Sequence, residues 1–107
     1  IYKRINNITY KFSDMFFFDD EKLALNEEKK LISIFNQVKK DIVLPIEQND
    51  FKTVLNEMHK LVAPVNAFFD GVLILSEQEE IKNSRIGLLN NILNLLKNFC
   101  DFSSLDL

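Results

Sequence analysis

From residue 51 to residue 62 the apolar side chains fall at Phe51, Val54, Leu55, Met58, Leu61 and Val62. Steps of three and four place them along one face of an α-helix, since a turn takes about 3.6 residues. Asp50, immediately before the stretch, is a suitable N-cap. The chain has few residues that would interrupt such patterns, with only two Gly and two Pro in 107. It is rich instead in Leu, Ile, Lys, Glu and Asn, and the expectation is a mostly helical chain.

The same period recurs elsewhere. Ile1, Ile5, Ile8 and Phe12 make one face of a first helix, with no cap visible before Ile1. The segment 13–20 has no helical period and reads as a connection. Its phenylalanines Phe16, Phe17 and Phe18 are expected to tuck under the bundle, because an exposed apolar run invites aggregation. Asp19 or Asp20 can cap a second helix from about Glu21 to Ile46, buried along Leu31, Phe35, Val38 and Ile42. Pro45 should kink or end it. Ala63-Pro64 fits the first turn of a fourth helix that buries Val65, Phe68, Phe69 and Val72. Ser76 and Glu79 have capping-box spacing ahead of a last helix carrying Ile81, Leu88, Leu89, Ile92, Leu95, Leu96 and Phe99. The Asn90, Asn91, Asn94 and Asn98 face of that helix reads as a compositional bias rather than a ladder of contacts. The fold class is all-α: a single helical bundle of about five helices, one domain over residues 1–107. The opening Ile1-Tyr2-Lys3-Arg4 makes the chain look like a piece of something longer.

Catalysis has no visible seat. Cys100 ends an apolar helix and reads as a packing residue, and His59 lies at the edge of its helix's buried stripe. The acidic groups Asp19-Asp20-Glu21 and Glu77-Glu79-Glu80 stand at helix N-termini, where negative charge offsets the helix dipole. The only glycines, Gly71 and Gly87, cannot make a phosphate-cradling loop. No Cys/His set has zinc spacing, so no metal site is expected, and the lone Cys suits a reducing compartment. No apolar run approaches the ~20 residues of a membrane span.

The net charge of −3 argues against a generic, charge-driven nucleic-acid binder, but leaves room for a local basic stripe. Lys3, Arg4, Asn7 and Lys11 share the first helix, and Lys82, Asn83 and Arg85 stand near the start of the last. Such residues reach phosphates, and amides reach base edges. Tyr2 and Tyr10 are candidates for stacking on unpaired bases. A plain solvated face accounts for the same charges, and Arg4 and Arg85 have the alternative of holding helices together through buried acidic partners such as Asp70.

The run Pro64-Val65-Asn66-Ala67-Phe68-Phe69-Asp70-Gly71-Val72-Leu73-Ile74 resembles the "PVDAFFDKVMV" pattern of bacterial glycyl-tRNA synthetase beta subunits. Asn83-Ser84-Arg85-Ile86-Gly87-Leu88-Leu89 resembles the family's "R-x-N-R-L-x-L-L" segment, and Cys100-Asp101-Phe102-Ser103-Ser104-Leu105 its "A-D-F/I-S-x-L" terminus. Lys3-Arg4-Ile5-Asn6-Asn7-Ile8 is similar to "K-R-V-x-N-I-L". Residues 13–62 match only loosely; Gly71 stands where Lys is common, and Lys82 where Arg often appears.

The resemblance implies a C-terminal helical anticodon-binding domain of the DALR type, a class also found in arginyl-tRNA synthetases. It implies a cytoplasmic enzyme of two alpha and two beta chains that joins glycine to tRNA(Gly). The alpha subunit would use ATP and Mg; this domain would need no cofactor and perform no catalysis. Lys3, Arg4, Asn7, Lys11, Lys82, Asn83 and Arg85 would then face the anticodon arm. Two other readings stay open: a helical protein-interaction module without RNA binding, and the equivalent domain of the arginine enzyme. Phe68-Phe69-Asp70 and Asp101-Phe102-Ser103 favour glycine over arginine.

Overall fold

A computed structural model of the protein describes residues 2–12 and 14–99. Ile1, Cys100 and the Asp101-Phe102-Ser103 element lie outside them, as does the side chain of Phe99. The described residues form α1 (Tyr2–Thr9), α2 (Asn26–Asp41), α3 (Val43–Glu47), α4 (Phe51–His59), α5 (Val62–Gly71) and α6 (Glu79–Phe99). Short 3-10 turns follow α1 at Tyr10–Phe12 and precede α2 at Asp20–Lys22. The described residues contain no strand; Val72 ends α5 in an extended conformation and Ile74 is buried beyond it.

Six α-helical segments stand where about five were expected, because the second helix is broken. It starts at Asn26 rather than Glu21, since Asp19 caps the 3-10 turn instead and accepts a bond from the Glu21 amide at 3.0 Å. It stops at Asp41, four residues before Pro45. The proline ring clashes with the carbonyl four residues upstream, so the break falls there and not at the proline itself. Pro45 then sits inside the first turn of α3. The device repeats at Pro64, which occupies the first turn of α5, while α4 ends at His59. Asn49 closes α3 in the left-handed region (φ 55°), and the Asp50 amide donates to the Pro45 carbonyl at 2.8 Å. Asp50 caps α4 as expected, accepting from the Thr53 amide at 3.2 Å.

The expected stripes are largely the core. Leu31, Phe35, Val38 and Ile42 are buried, as are Val54, Met58 and Leu61, then Val65 and Phe68. α2 lies against α5, α1 against α6, and α3 against α4. Phe51 departs from the pattern: at the first position of α4 it remains exposed.

α6 is the axis of the fold. Every residue from Ser84 to Asn90 is buried, so here the helix has no solvated face. α1 covers part of it, and the connection 14–19 covers another part through its backbone. The Asn90 amide donates to the Phe12 and Met15 carbonyls at 2.8 and 2.7 Å. Asn91 donates to the Phe16 carbonyl at 2.6 Å, and the Ser84 hydroxyl accepts from the Asp19 amide at 3.1 Å. Gly87 lets the two backbones meet, because a Cβ there would lie 2.1 Å from the Phe17 carbonyl oxygen.

Two expectations are therefore corrected. Asn90 and Asn91 are contacts, not composition: they satisfy carbonyls of a segment with no helix of its own. The phenylalanine run does not tuck under as a unit. The backbone of the connection is what docks, which turns Phe17 (82% exposed) and Phe16 (45%) outward, leaving only Phe18 packed against the core.

Candidate nucleic-acid interface

Lys3, Asn7 and Lys11 recur every four residues along α1 and its 3-10 extension, and all three are exposed. Lys82, near the start of α6, holds its Nζ 5.5 Å from the ring centre of Phe12. That contact joins the beginning of α6 to the turn carrying Tyr10 and Lys11. Two stretches some seventy residues apart thus present cations to one region. Tyr10 is 59% exposed, with the Lys11 Nζ 5.7 Å from its ring centre. Asn83 is half-buried in a separate open cleft of about 230 Å³ with Phe17, Asp19, Lys22, Glu80 and Ser84. At that cleft the Lys22 ammonium and Glu80 carboxylate are hydrogen-bonded, which raises the lysine's pKa and lowers the glutamate's.

The two arginines have protein partners. Arg4 donates to Asn66 Oδ1 at 3.0 Å and Asp70 Oδ1 at 3.1 Å, and its guanidinium lies 4.6 Å from the Phe69 ring centre. The bed is residues i, i+3 and i+4 of α5, so one side chain ties α1 to α5. The pair is largely solvated, and its Asp70 side chain is 74% exposed. Arg85 is different. It is buried and donates through Nε to Glu28 Oε2 at 3.0 Å, and through Nη1 to the Leu73 carbonyl. Glu28 also accepts from the Leu25 amide at 3.2 Å. Arg85 thus pins α6 to α2 and to the segment after α5, with its guanidinium directed inward.

A second concavity opens between α1, α6 and the connection. Its lining includes Asn6, Thr9, Tyr10, Phe16, Asn90, Leu93, Asn94 and Lys97, and its volume is about 60 Å³. Amides line its walls, while Tyr10 and Phe16 give it two exposed aromatic rings. Among the described residues no group of three or more His, Cys, Asp or Glu could hold a metal ion. No described helix is long and apolar enough to cross a membrane.

The model of the DALR anticodon binding domain family matches residues 1–102. The chain belongs to this family. Among curated relatives it is 35% identical over 103 residues to the glycine–tRNA ligase beta subunit of Thermodesulfovibrio yellowstonii, covering 96% of this chain and 15% of that protein. The corresponding subunit of Sulfurihydrogenibium sp. is 34% identical over 108 residues, covering 98% of this chain and 16% of the relative. That of Colwellia psychrerythraea is 30% identical over 105 residues, covering 96% and 15%. The chain thus spans about one-sixth of the length of the relatives it matches. No solved structure matches it.

In this DALR domain the motif-bearing run of α5 has two uses. Val65 and Phe68 enter the core, while Asn66, Phe69 and Asp70 face Arg4. Charge patterning does not reveal the cleft at Tyr10. Its signal in the sequence is the spacing of Asn90, Asn94 and Lys97 at i, i+4 and i+7, opposite Asn6 and Tyr10 on α1 and its extension.

Proposed function

We propose that this DALR domain reads the anticodon arm of tRNA(Gly) as part of a glycine–tRNA ligase beta subunit, and that it contributes binding rather than chemistry. The observation that carries this reading is the outward row Lys3, Asn7 and Lys11, with Lys82 and the exposed ring of Tyr10 at its end. Cations at that spacing suit the phosphates of a folded loop, and an exposed ring suits an unstacked base. A net charge of −3 makes the attraction local, so binding depends on this row and not on the whole surface. Asn83 follows Lys82 in the chain and would meet the RNA from its own half-buried cleft. Arg4 supports it by holding α1 on α5, and Arg85 by holding α6 in place.

The parent enzyme in this reading is cytoplasmic and pairs two beta with two alpha chains, and ATP and Mg serve the alpha subunit. The similarity to glycine–tRNA ligase beta subunits supports the glycine enzyme over the arginine one.

The test is glycylation by the whole enzyme with Lys3→Glu and Lys11→Glu in this domain. The expected outcome is a higher KM for tRNA, with the salt dependence of binding shallower by about 0.7–0.9 in log–log slope for each phosphate no longer neutralised. An unchanged KM with both charges reversed refutes the assignment. The exposed Phe17 and Leu73 favour a second reading, contact with another protein surface. Phe17→Ser and Leu73→Ser would then weaken subunit assembly, measured by sedimentation, and leave the salt dependence of tRNA binding alone.

A further inference from the structure

Asn90 is a polar side chain only 3% exposed, on a helix with no solvated face at that point. Its Nδ2 donates to the carbonyls of Phe12 and Met15 at 2.8 and 2.7 Å. Two carbonyl partners fix the orientation of the amide, since an oxygen in that place would face two acceptors. The Oδ1 is therefore the atom left over. It accepts no hydrogen bond from the described residues. Asn90 lines the cleft between α1 and α6, so a built acceptor stands at the wall of a concave site.

The rest of the cleft narrows the ligand. Tyr10 and Phe16 offer rings at its rim, 59% and 45% exposed. Asn6 and Asn94 each bring a donor and an acceptor, and Lys97 brings a cation. A planar, hydrogen-bonding heterocycle with an adjoining phosphate suits that set. At about 60 Å³ the cleft takes the edge of one pyrimidine and not a second base.

We propose that this cleft seats one extruded anticodon cytosine, its N4 amino group donating to Asn90 Oδ1. The inference rests on the anticodon reading above and names the seat within it. Glycine codons begin GG, so the cognate anticodon carries two adjacent cytosines. Cytosine presents an amine where uracil presents a carbonyl oxygen. Uracil would set that oxygen against Asn90 Oδ1, two acceptors with no proton between them. The ring packs against Tyr10 and Phe16, Asn94 and Asn6 serve its N3 and O2, and Lys97 meets the flanking phosphate. The selection comes from a side chain that also anchors the connection, so the acceptor is held rigid before RNA arrives.

The test uses assembled glycine–tRNA ligase holding this domain. Transcripts of tRNA(Gly) carry uridine, or the amine-lacking 2-pyrimidinone nucleoside, at either anticodon cytosine. A further set carries 5-iodocytidine for photo-crosslinking. Asn90 is left intact because its Nδ2 holds the connection; Tyr10→Ala and Asn94→Ala, both at exposed positions, probe the cleft. The expected result is a loss of roughly ten- to hundredfold in binding for both analogues at one anticodon position. That discrimination shrinks in Tyr10→Ala and Asn94→Ala, and the cross-link maps to Tyr10 or Phe16. Discrimination that persists undiminished in both variants, with cross-links elsewhere, overturns the seat and leaves the anticodon reading standing. Indifference of the wild-type enzyme to both cytosines overturns the anticodon reading and the seat with it.

Discussion

Gly87→Ala decides whether the connection 14–19 is held on α6 as described. In an ordinary helix interior the change stabilises by about 1 kcal/mol, because alanine is the better helix former. Here the added methyl would sit 2.1 Å from the Phe17 carbonyl oxygen and 2.8 Å from its carbon. The obstacle is backbone, which cannot swing aside as a side chain does. The connection must lift by about 1 Å or more to restore van der Waals contact. Lifting it stretches the bonds from Asn90 to Met15 and from Asn91 to Phe16, now 2.7 and 2.6 Å. Leaving a buried amide such as that of Asn90 unsatisfied costs about 1–3 kcal/mol, and the Ser84 bond to Asp19 adds about 1. Set against the propensity gain, the net is a destabilisation of about 1–3 kcal/mol, or on the order of 5–20 °C in Tm for a domain of this size. The assay is thermal and urea unfolding followed by circular dichroism at 222 nm. Gly71→Ala is the control: its nearest obstacle is the flexible side chain of Glu27 at 3.1 Å, and its expected effect lies within about 1 kcal/mol. A Gly87→Ala protein as stable as the parent, or more so, would refute the docking of the connection on α6.

Two further outcomes follow from the ion pairs and caps. Arg85→Met leaves the Glu28 carboxylate buried without its partner and should cost about 3–5 kcal/mol, whereas adding Glu28→Gln should recover part of that loss in a double-mutant cycle; strict additivity would show that the two side chains are not coupled. Hydrogen bonds from the Thr53 hydroxyl, then the Thr53 amide, hold Asp50 below the ordinary carboxylate value of 3.8. Its stabilisation of α4 is therefore complete above that value and disappears as the pH falls through the lowered one. Asp50→Asn should flatten this part of the acid-unfolding curve, and an identical acid limb in both proteins would argue against the cap.

Legibility in the sequence tracks the number of faces an element shows to water. α4 and α5 bury one side, so spacing alone marks Val54, Met58, Val65 and Phe68. The cap at Asp50 and the proline in the first turn of α5 are also legible, because each acts on neighbouring residues. α6 is harder. Between Ser84 and Asn90 it is covered all round, and periodicity cannot mark an inside when there is no outside. Asn90 and Asn91 look like solvated polar residues, and nothing local to them reveals carbonyls 75 or more positions away. The pairing of Glu28 with Arg85 is hidden for the same reason, since 57 residues separate them. For the candidate site, the row Lys3, Asn7 and Lys11 is visible as a helical stripe. Of the cleft only one wall is visible, in the spacing of Asn90, Asn94 and Lys97, because the site exists only where α1, α6 and the connection meet.

The covered stretch of α6 has a consequence for the order in which the domain comes into being. Asn90 and the Phe12 carbonyl it satisfies are 78 residues apart. At about 5–20 residues per second, a ribosome takes roughly 4–16 s to supply the second partner after the first. Through that interval α1 lacks the helix it lies against, with only the Arg4 contacts to α5 open to it, and the connection's carbonyls have only water. The apolar sides of α2 and α5 can meet each other in the meantime, because α2, α4 and α5 pack locally. Synthesis should thus yield a half-domain from α2 to α5 that waits for its axis, followed by a single late closure when α6 arrives. The nascent chain is most in need of a chaperone during that wait, with Phe16 and Phe17 already made and nothing yet to anchor the segment that carries them.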